Sequence, residues 1–164
     1  MGLPSDPIDE ARSQWEAHGW GDAADGMAAV TSVMRAQQIM QARVTEVLRP
    51  FDLTFARYEL LMLLTFSRRG SMPVKKASER LQVHPTSVTN AVDRLEAAAL
   101  VVRTPHPTDG RATLVELTED GRQLALKATE QLNAQVFSQP GLPARRVATL
   151  VSVLTELRRD AGDF

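Results

Sequence analysis

The chain has 164 residues, of which 43% are apolar and 24% charged, with a formal net charge of −1 and no cysteine. This length suits one domain with its own core, or a small domain with helical extensions, rather than two large domains. Without cysteine the protein cannot form disulfides, thiolate metal sites or a cysteine redox sensor. No apolar run approaches the roughly 18 residues of a membrane helix. The first ten residues lack signal-peptide features, so we expect a cytoplasmic protein that makes no membrane contact.

The first fifty residues predict two helices. Asp6 can cap a short helix that begins at Pro7, where a missing N–H costs nothing. A long helix is expected over residues 22–49, and Pro50 ends it. Apolar residues fall on two faces of the long helix, which predicts two neighbours. One face comprises Val30, Met34, Val44 and Leu48, and the other Ala28, Ser32, Ile39 and Ala42.

The middle of the chain predicts a helix-turn-helix followed by a hairpin. Thr54 can cap the nearly all-apolar helix "FARYELLMLLTF", which should be buried. The segment "PVKKASERLQV" has a helical core, and a further helix begins at Pro85. Its apolar stripe comprises Val88, Val92 and Leu95. The strands "LVVRT" and "ATLVELT" follow, joined by a turn. This order of elements is that of a DNA-binding helix-turn-helix with a two-stranded wing.

Two further helices are expected after the hairpin. Thr118 can cap "EDGRQLALKATEQLNAQVF", and Pro140, Gly141 and Pro143 break the chain after it. The last helix has a continuous apolar stripe formed by Val147, Leu150, Val151, Leu154 and Leu157.

Positive charge is concentrated in the middle of the chain. Residues 68–111 contain eight Lys and Arg against four Asp and Glu, whereas the segments on both sides are net acidic. A nucleic-acid interface needs local positive charge, whatever the total. An ordinary solvated surface is the alternative interpretation of the same excess.

The helix that begins at Pro85 has the side chains that DNA contacts require. The hydroxyls of Thr and Ser bond bases or phosphates, the amide of Asn matches adenine, and Arg addresses guanine or phosphate. The candidate DNA-contacting residues are Thr86, Ser87, Thr89, Asn90 and Arg94. The alternative is that Thr86, Ser87 and Asn90 merely cap or solvate the start of the helix.

The turn "PHPTDGR" places one cation, Arg111, at the tip of the hairpin. An arginine in the minor groove lies in concentrated negative potential and releases counterions. The alternative is an ion pair between Arg111 and Asp109 across the turn, worth about 0–1 kcal/mol if exposed.

The pattern Asp-x-Arg, alternating strand, Leu-Thr-x-x-Gly resembles the wing of the MarR family of winged-helix transcription regulators. Here it comprises Asp109, Arg111, Val115, Leu117, Thr118 and Gly121. The similarity extends over about residues 25–160 and includes "SVTNAVDRLEAAALVVR", which is similar to the family's recognition helix and following strand.

The resemblance implies a mainly α fold with a small β wing, in which N- and C-terminal helices form an obligate homodimer. Residues 51–118 would be the DNA-binding domain, flanked by dimerisation helices in 1–50 and 119–164. Thr86, Ser87, Thr89, Asn90 and Arg94 would face double-stranded DNA, with Arg111 as the wing arginine and Asp109 orienting it. Function would be sequence-specific transcriptional regulation, with repression at an inverted-repeat operator and release by a small anionic or phenolic ligand.

Three positions depart from the family pattern. Ala99 stands where glycine usually follows the recognition helix, so the turn must close without a residue that easily adopts left-handed backbone. Gly110 replaces a charged residue at the wing tip. His84 stands where a serine cap is frequent.

An effector cavity would involve Arg35, with Trp20, Tyr58 and His18 as possible lining residues. Arg35 lies on the small-residue face of the long helix. The small side chains there leave space beside its guanidinium for an anionic ligand. The alternatives are that Arg35 extends to solvent or pairs with a carboxylate, and that Trp20 packs the N-terminal helix onto the dimer.

Catalysis is not expected. The three histidines fall in unrelated segments, and no metal-spaced cluster or phosphate-binding glycine loop is present, so neither a metal nor a cofactor is predicted. A ligand-independent architectural DNA binder and a winged-helix module for protein contacts remain as alternatives.

Overall fold

A computed structural model describes residues 2–108 and 112–164. The chain divides into two compact units, one ending at Glu46 and the other comprising Val47–Phe164. The described residues are mostly helical, with one small antiparallel sheet. This confirms the expected fold class. None of the helices in these ranges is both long and apolar enough to cross a membrane.

The first unit contains the two expected helices, α1 (Pro7–Ala17) and α2 (Gly21–Leu48), and the unit boundary falls in the last turn of α2. The Asp6 carboxylate caps α1 by accepting a hydrogen bond from the Ile8 N–H at 2.9 Å. A 3-10 turn that contains Pro50 follows α2, as expected of a helix ended by proline.

The first of the two predicted apolar faces of α2 is buried only near the C-terminal end of the helix. Val44 and Leu48 are buried, but Val30 and Met34 are each 62% exposed. The period of the stripe was correct, but the sequence does not show how much of its length the chain itself covers.

The second unit is a winged helix followed by two helices. In chain order its regular elements are α3 (Phe55–Phe66), β1 (Ser71–Pro73), α4 (Val74–Leu81), α5 (Pro85–Ala97), β2 (Val101–Pro105), β3 (Thr113–Leu117), α6 (Glu119–Leu132) and α7 (Ala144–Asp160). The core lies where α3, α5, the sheet and α6 meet. Its fully buried side chains include Leu60, Leu61, Leu64, Val88, Val92, Leu95, Val101, Val115 and Leu132.

The sheet has three strands in the order β1-β3-β2, whereas the sequence predicted only the two strands of the hairpin. β1 pairs antiparallel with β3, with Met72 opposite Val115. Its three residues include a proline, and such a run has no strand pattern of its own; pairing with the distant β3 makes it a strand. The sheet therefore has β1 at one edge and β2 at the other.

The C-terminal half of the unit differs in burial from one helix to the next. In α6 the side chains of Ala125, Ala128 and Leu132 are fully buried, and the helix continues through a π-helical turn, Asn133–Phe137. In α7 no residue is buried.

Candidate nucleic-acid interface

The turn before α5 places the start of the recognition helix. The His84 backbone is extended, and its imidazole Nδ1 accepts a hydrogen bond from the Thr86 N–H at 3.2 Å. Pro85 occupies the first helical position, where it needs no hydrogen-bond partner. Histidine therefore supplies the cap at the position where serine is frequent.

The inner face of α5 attaches the helix to the core. Val88, Val92 and Leu95 are 2%, 0% and 1% exposed, which confirms the predicted stripe. On a helix with 100° between residues, Thr86 and Asn90 lie on the face opposite this stripe. Both are exposed.

Polar side chains on the outer face of α5 are available to a ligand. Within the described part of the chain, no hydrogen bond engages the Thr86 hydroxyl, the Asn90 amide or the Arg94 guanidinium. Asn90 and Arg94 line an open concavity together with Asp93 and Ala97. The helix thus presents a hydroxyl, an amide and a guanidinium outward from a fixed backbone.

The other two candidates lie on the flanks of α5. Ser87 borders a narrow groove against α3, where Ala56 and Glu59 also line it. Burial raises the pKa of the Glu59 carboxyl, because desolvation disfavours its charged form. The Thr89 hydroxyl donates to the Pro85 carbonyl at 3.1 Å and faces a cleft beside Lys75. Since its proton is used by the helix, Thr89 has only lone pairs to offer.

Arg103, on β2, ties the recognition helix to the wing. Its guanidinium bonds Glu96 and forms an ion pair with Asp93 at 2.5 Å, and its backbone N–H donates to Glu96 at 3.1 Å. Burial lowers the pKa of Arg103, but the bonds and charges of Asp93 and Glu96 outweigh burial and raise it overall. One guanidinium thereby holds two carboxylates beside the DNA-facing surface and offsets part of their negative charge.

A tight joint connects the end of α5 to α6. Ala99 adopts left-handed backbone at φ 57°, so the turn does close through this residue although it is not glycine. The Thr118 hydroxyl donates to the Ala99 carbonyl at 2.9 Å and caps α6 by accepting from the Gly121 N–H at 3.0 Å. A Cβ on Gly121 would lie 2.0 Å from the Leu100 carbonyl oxygen, so only glycine fits. The Leu-Thr-x-x-Gly pattern therefore specifies this contact.

The two wing candidates, Asp109 and Arg111, lie outside the described residues. The described strands lead to that tip: β2 ends at Pro105, which is opposite Thr113, and the His106 N–H donates to the Ala112 carbonyl at 3.1 Å.

The effector candidates fall in both units. In the first unit, the His18 ring stacks on Trp20 with centroids 5.5 Å apart, and Trp20 is 55% exposed. Arg35 donates to Gln38 at 3.1 Å and lines a cavity of about 530 Å³ with the N-terminal segment of residues 2–8. In the second unit, Tyr58 is buried and its hydroxyl is hydrogen-bonded to Thr129 at 2.9 Å.

The sequence reasoning did not single out Arg103. A signal was present, since Asp93 and Glu96 share one side of a helix and an arginine follows in the next strand. Among the described residues no cluster of three or more histidines and carboxylates is arranged to hold a metal ion.

A recognition helix with a free polar face, fixed to a wing and lying in a segment rich in Lys and Arg, is typical of a winged-helix DNA-binding protein. The family model described as "MarR family" matches residues 51–112. The structure of Sco5413, a MarR family transcriptional regulator from Streptomyces coelicolor, is 48% identical, with a TM-score of 0.78 over 85% of this chain and 97% of that one. The chain belongs to the MarR family of DNA-binding transcriptional regulators.

Other relatives extend the comparison. The uncharacterized HTH-type transcriptional regulator YhbI of Bacillus subtilis is 37% identical over 59% of this chain, and the match spans 62% of that relative's length. A mutant MarR from E. coli, complexed with operator DNA, is 25% identical with a TM-score of 0.73, covering 82% and 96% of the two chains. CouR from Rhodococcus jostii RHA1, bound to p-coumaroyl-CoA, is 26% identical with a TM-score of 0.65, covering 76% and 87%.

Proposed function

We propose that the protein is a homodimeric repressor that binds an inverted-repeat operator and is released by a small aromatic or anionic effector. The free polar face of α5 carries the DNA-binding part of this proposal. Repression follows if a dimer that lies across about two turns of DNA blocks access of polymerase to a promoter.

The dimer is proposed from the exposed apolar side chains of the terminal helices. On α7 Leu150, Val151 and Leu157 are 41%, 58% and 56% exposed. A contiguous exposed apolar stripe of this kind is typical of a surface that binds another protein chain. On this proposal residues 1–50 and 119–164 supply the dimerisation helices, and residues 51–118 form the DNA-binding domain.

DNA contacts are proposed to divide between α5 and the wing. Thr86, Asn90 and Arg94 would enter the major groove, with Ser87 donating to a phosphate from the flank and Thr89 accepting from a base amino group. Arg111, oriented by Asp109, would enter the minor groove. Two-fold symmetry then predicts half-sites whose centres are about 10 bp apart, in inverted orientation.

Operator selection from randomised duplexes, followed by titration at several salt concentrations, tests this division. Asn90→Ala should cost about 1–3 kcal/mol on the selected site and relax preference at one position per half-site, with little change in salt slope. Arg111→Ala should weaken binding to selected and unrelated DNA alike and reduce the slope by about one for each phosphate that is no longer neutralised.

Selection of a direct repeat, or protection of a single half-site, would contradict the symmetric dimer. If Arg111→Ala leaves both affinity and salt slope unchanged, the wing arginine has a structural role in pairing with Asp109.

The effector is proposed to bind through aromatic and cationic side chains. His18 and Trp20 offer stacked, exposed rings and Arg35 offers a guanidinium, all three in the first unit. CouR, whose structure contains p-coumaroyl-CoA, supports an aromatic acid derivative as a class of ligand.

Titration of 4-hydroxybenzoate and p-coumaroyl-CoA into the operator complex, with Trp fluorescence as a second readout, tests the effector. Release of DNA by either compound, weakened in Arg35→Ala and in Trp20→Ala, is the expected result. Unchanged DNA binding at millimolar ligand would favour a ligand-independent regulator.

A further inference from the structure

A basic surface lies at the β1 edge of the wing sheet. We name it the edge groove: a depression of about 610 Å³ between β1, α4, the end of α3 and the segment that leads to the wing tip. Its basic side chains are Arg68, Arg69, Lys76, Arg80 and His106. The described residues that line it include no carboxylate.

Four cations of the edge groove have no ion-pair partner among the described residues. Arg68, Arg69, Lys76 and Arg80 are exposed, and in residues 2–108 and 112–164 none of them forms an ion pair. By contrast, Arg103 on the opposite side of the sheet is bound to two carboxylates. Four uncompensated positive charges around one depression create a local field that attracts a polyanion.

The position of the groove identifies which polyanion it meets. In the sheet order β1-β3-β2, α5 packs against β2, so β1 is the sheet edge on the other side of β3. Helix α4, which lines the groove, packs against both β1 and α5. One end of the groove is formed by residues 106–108, which lead directly to the wing tip. DNA that continues outward past an inserted wing tip would therefore reach this edge next.

We propose that the edge groove binds the phosphate backbone of the duplex outside each half-site, extending the operator footprint beyond the wing. This inference rests on the proposed DNA-binding mode. The contacts involve charge rather than base edges, so they add affinity and salt dependence without adding sequence preference.

The experiment compares two duplexes that contain the same selected operator. The short duplex ends just outside the half-sites, and the long duplex carries about 10 further bp, one helical turn, of unrelated sequence at each end. For the wild type, log Kd should depend more steeply on log salt with the long duplex. The slope difference should be up to about 7 if each of the eight groove cations in a dimer neutralises one phosphate.

Two double variants test whether the groove causes the difference in salt slope between the duplexes, and a third is the control. Arg68→Ala/Arg69→Ala should remove about half of the slope difference, while binding to the short duplex stays within about twofold. Lys76→Ala/Arg80→Ala removes the other two cations and should act in the same way. Arg145→Ala/Arg146→Ala removes an adjacent, exposed pair at the start of α7 and controls for net charge and for additional non-specific sites on longer DNA. It should preserve the slope difference.

Each contrary result has a distinct meaning. Equal wild-type slopes on the two duplexes would overturn the inference and leave the groove to an anionic partner other than DNA. If Arg68→Ala/Arg69→Ala lowers the salt slope equally on both duplexes, these arginines contact DNA within the half-sites. That result would also overturn the inference. Absence of sequence-specific binding to either duplex would instead refute the proposed function, and this inference with it.

Discussion

Helices α5 and α7 carry similar apolar stripes but differ in what covers them. Val88, Val92 and Leu95 of α5 are at most 2% exposed, whereas Val151 and Leu157 of α7 are more than half exposed. Burying one such side chain contributes about 1.5–3 kcal/mol. The chain therefore obtains this stabilisation for α5 from its own core, and for α7 only if a partner covers the stripe. In a dimeric DNA-binding protein, the recognition helix is held by the core of its own subunit, and the terminal helix is left exposed so that the second subunit can cover it.

The largest expected effect comes from charging the stripe of α7. Leu150→Glu/Leu154→Glu should abolish the dimer and operator binding, because two carboxylates per subunit would be buried without partners. Analytical ultracentrifugation at micromolar protein measures the dimer. Thr149→Glu/Ser152→Glu places the same charges on the opposite, polar face of the helix and should leave the dimer intact. A wild-type protein that sediments as a monomer would refute the dimer itself.

The joint after α5 should be the most sensitive single position. Gly121→Ala places a Cβ where the Leu100 carbonyl oxygen lies, and a backbone atom cannot rotate away. We expect the free energy of unfolding to fall by about 3 kcal/mol or more. Urea denaturation at fixed protein concentration measures it.

Gly26→Ala is the matched control, since nothing lies within 4 Å of its Cβ position in α2. It should change stability by about 1 kcal/mol or less, in the stabilising direction, because alanine favours a helix interior. Equal effects of the two substitutions would show that the joint is not tight.

How much the sequence predicts differs between local and distant contacts. The caps at Asp6 and Thr118 and the stripe of α5 were predicted, because capping and the 3.6-residue period depend on neighbouring residues. β1 and the Arg103 pairs were missed. Both depend on pairing across the chain, and neither leaves a pattern in its own segment.

Ala99 shows a related limit. Local preference argues against an easy left-handed turn at an alanine, yet the turn adopts this conformation without glycine. The Thr118 hydroxyl bond to the Ala99 carbonyl holds the turn. A bond from a residue 19 positions away thus offsets a local preference.

Ala99→Gly follows as a stabilising substitution near α5. Left-handed backbone costs alanine roughly 1–2 kcal/mol, and glycine avoids this cost but loses part of the gain through the flexibility of the unfolded chain. We expect the free energy of unfolding to rise by about 0.5–1 kcal/mol, as measured by urea denaturation. Ala98→Gly, at a residue with ordinary negative φ, is the control and should destabilise. A loss of stability in Ala99→Gly would contradict the strain at this turn.

The smallest expected effect concerns pH and the groove beside α5. Burial raises the pKa of Glu59 in the folded state, since desolvation disfavours the carboxylate. The protonated form is therefore the one that the fold tolerates better. The stability of the fold with Glu59 protonated is fully present below the pKa of a glutamate in the unfolded chain, about 4.3. It is lost as pH rises through the higher pKa of Glu59 in the folded state.

Glu59→Gln removes this loss and should unfold at higher urea concentration than the wild type at neutral pH, with the difference narrowing toward about pH 4. Glu156→Gln replaces an exposed carboxylate on α7 and is the control for the substitution itself. The pair extends the comparison of the two helices from apolar to ionisable groups, because Glu59 is partly buried beside α5 and Glu156 is exposed on α7. Parallel stability curves for wild type and Glu59→Gln across this pH range would show that the groove leaves Glu59 fully solvated.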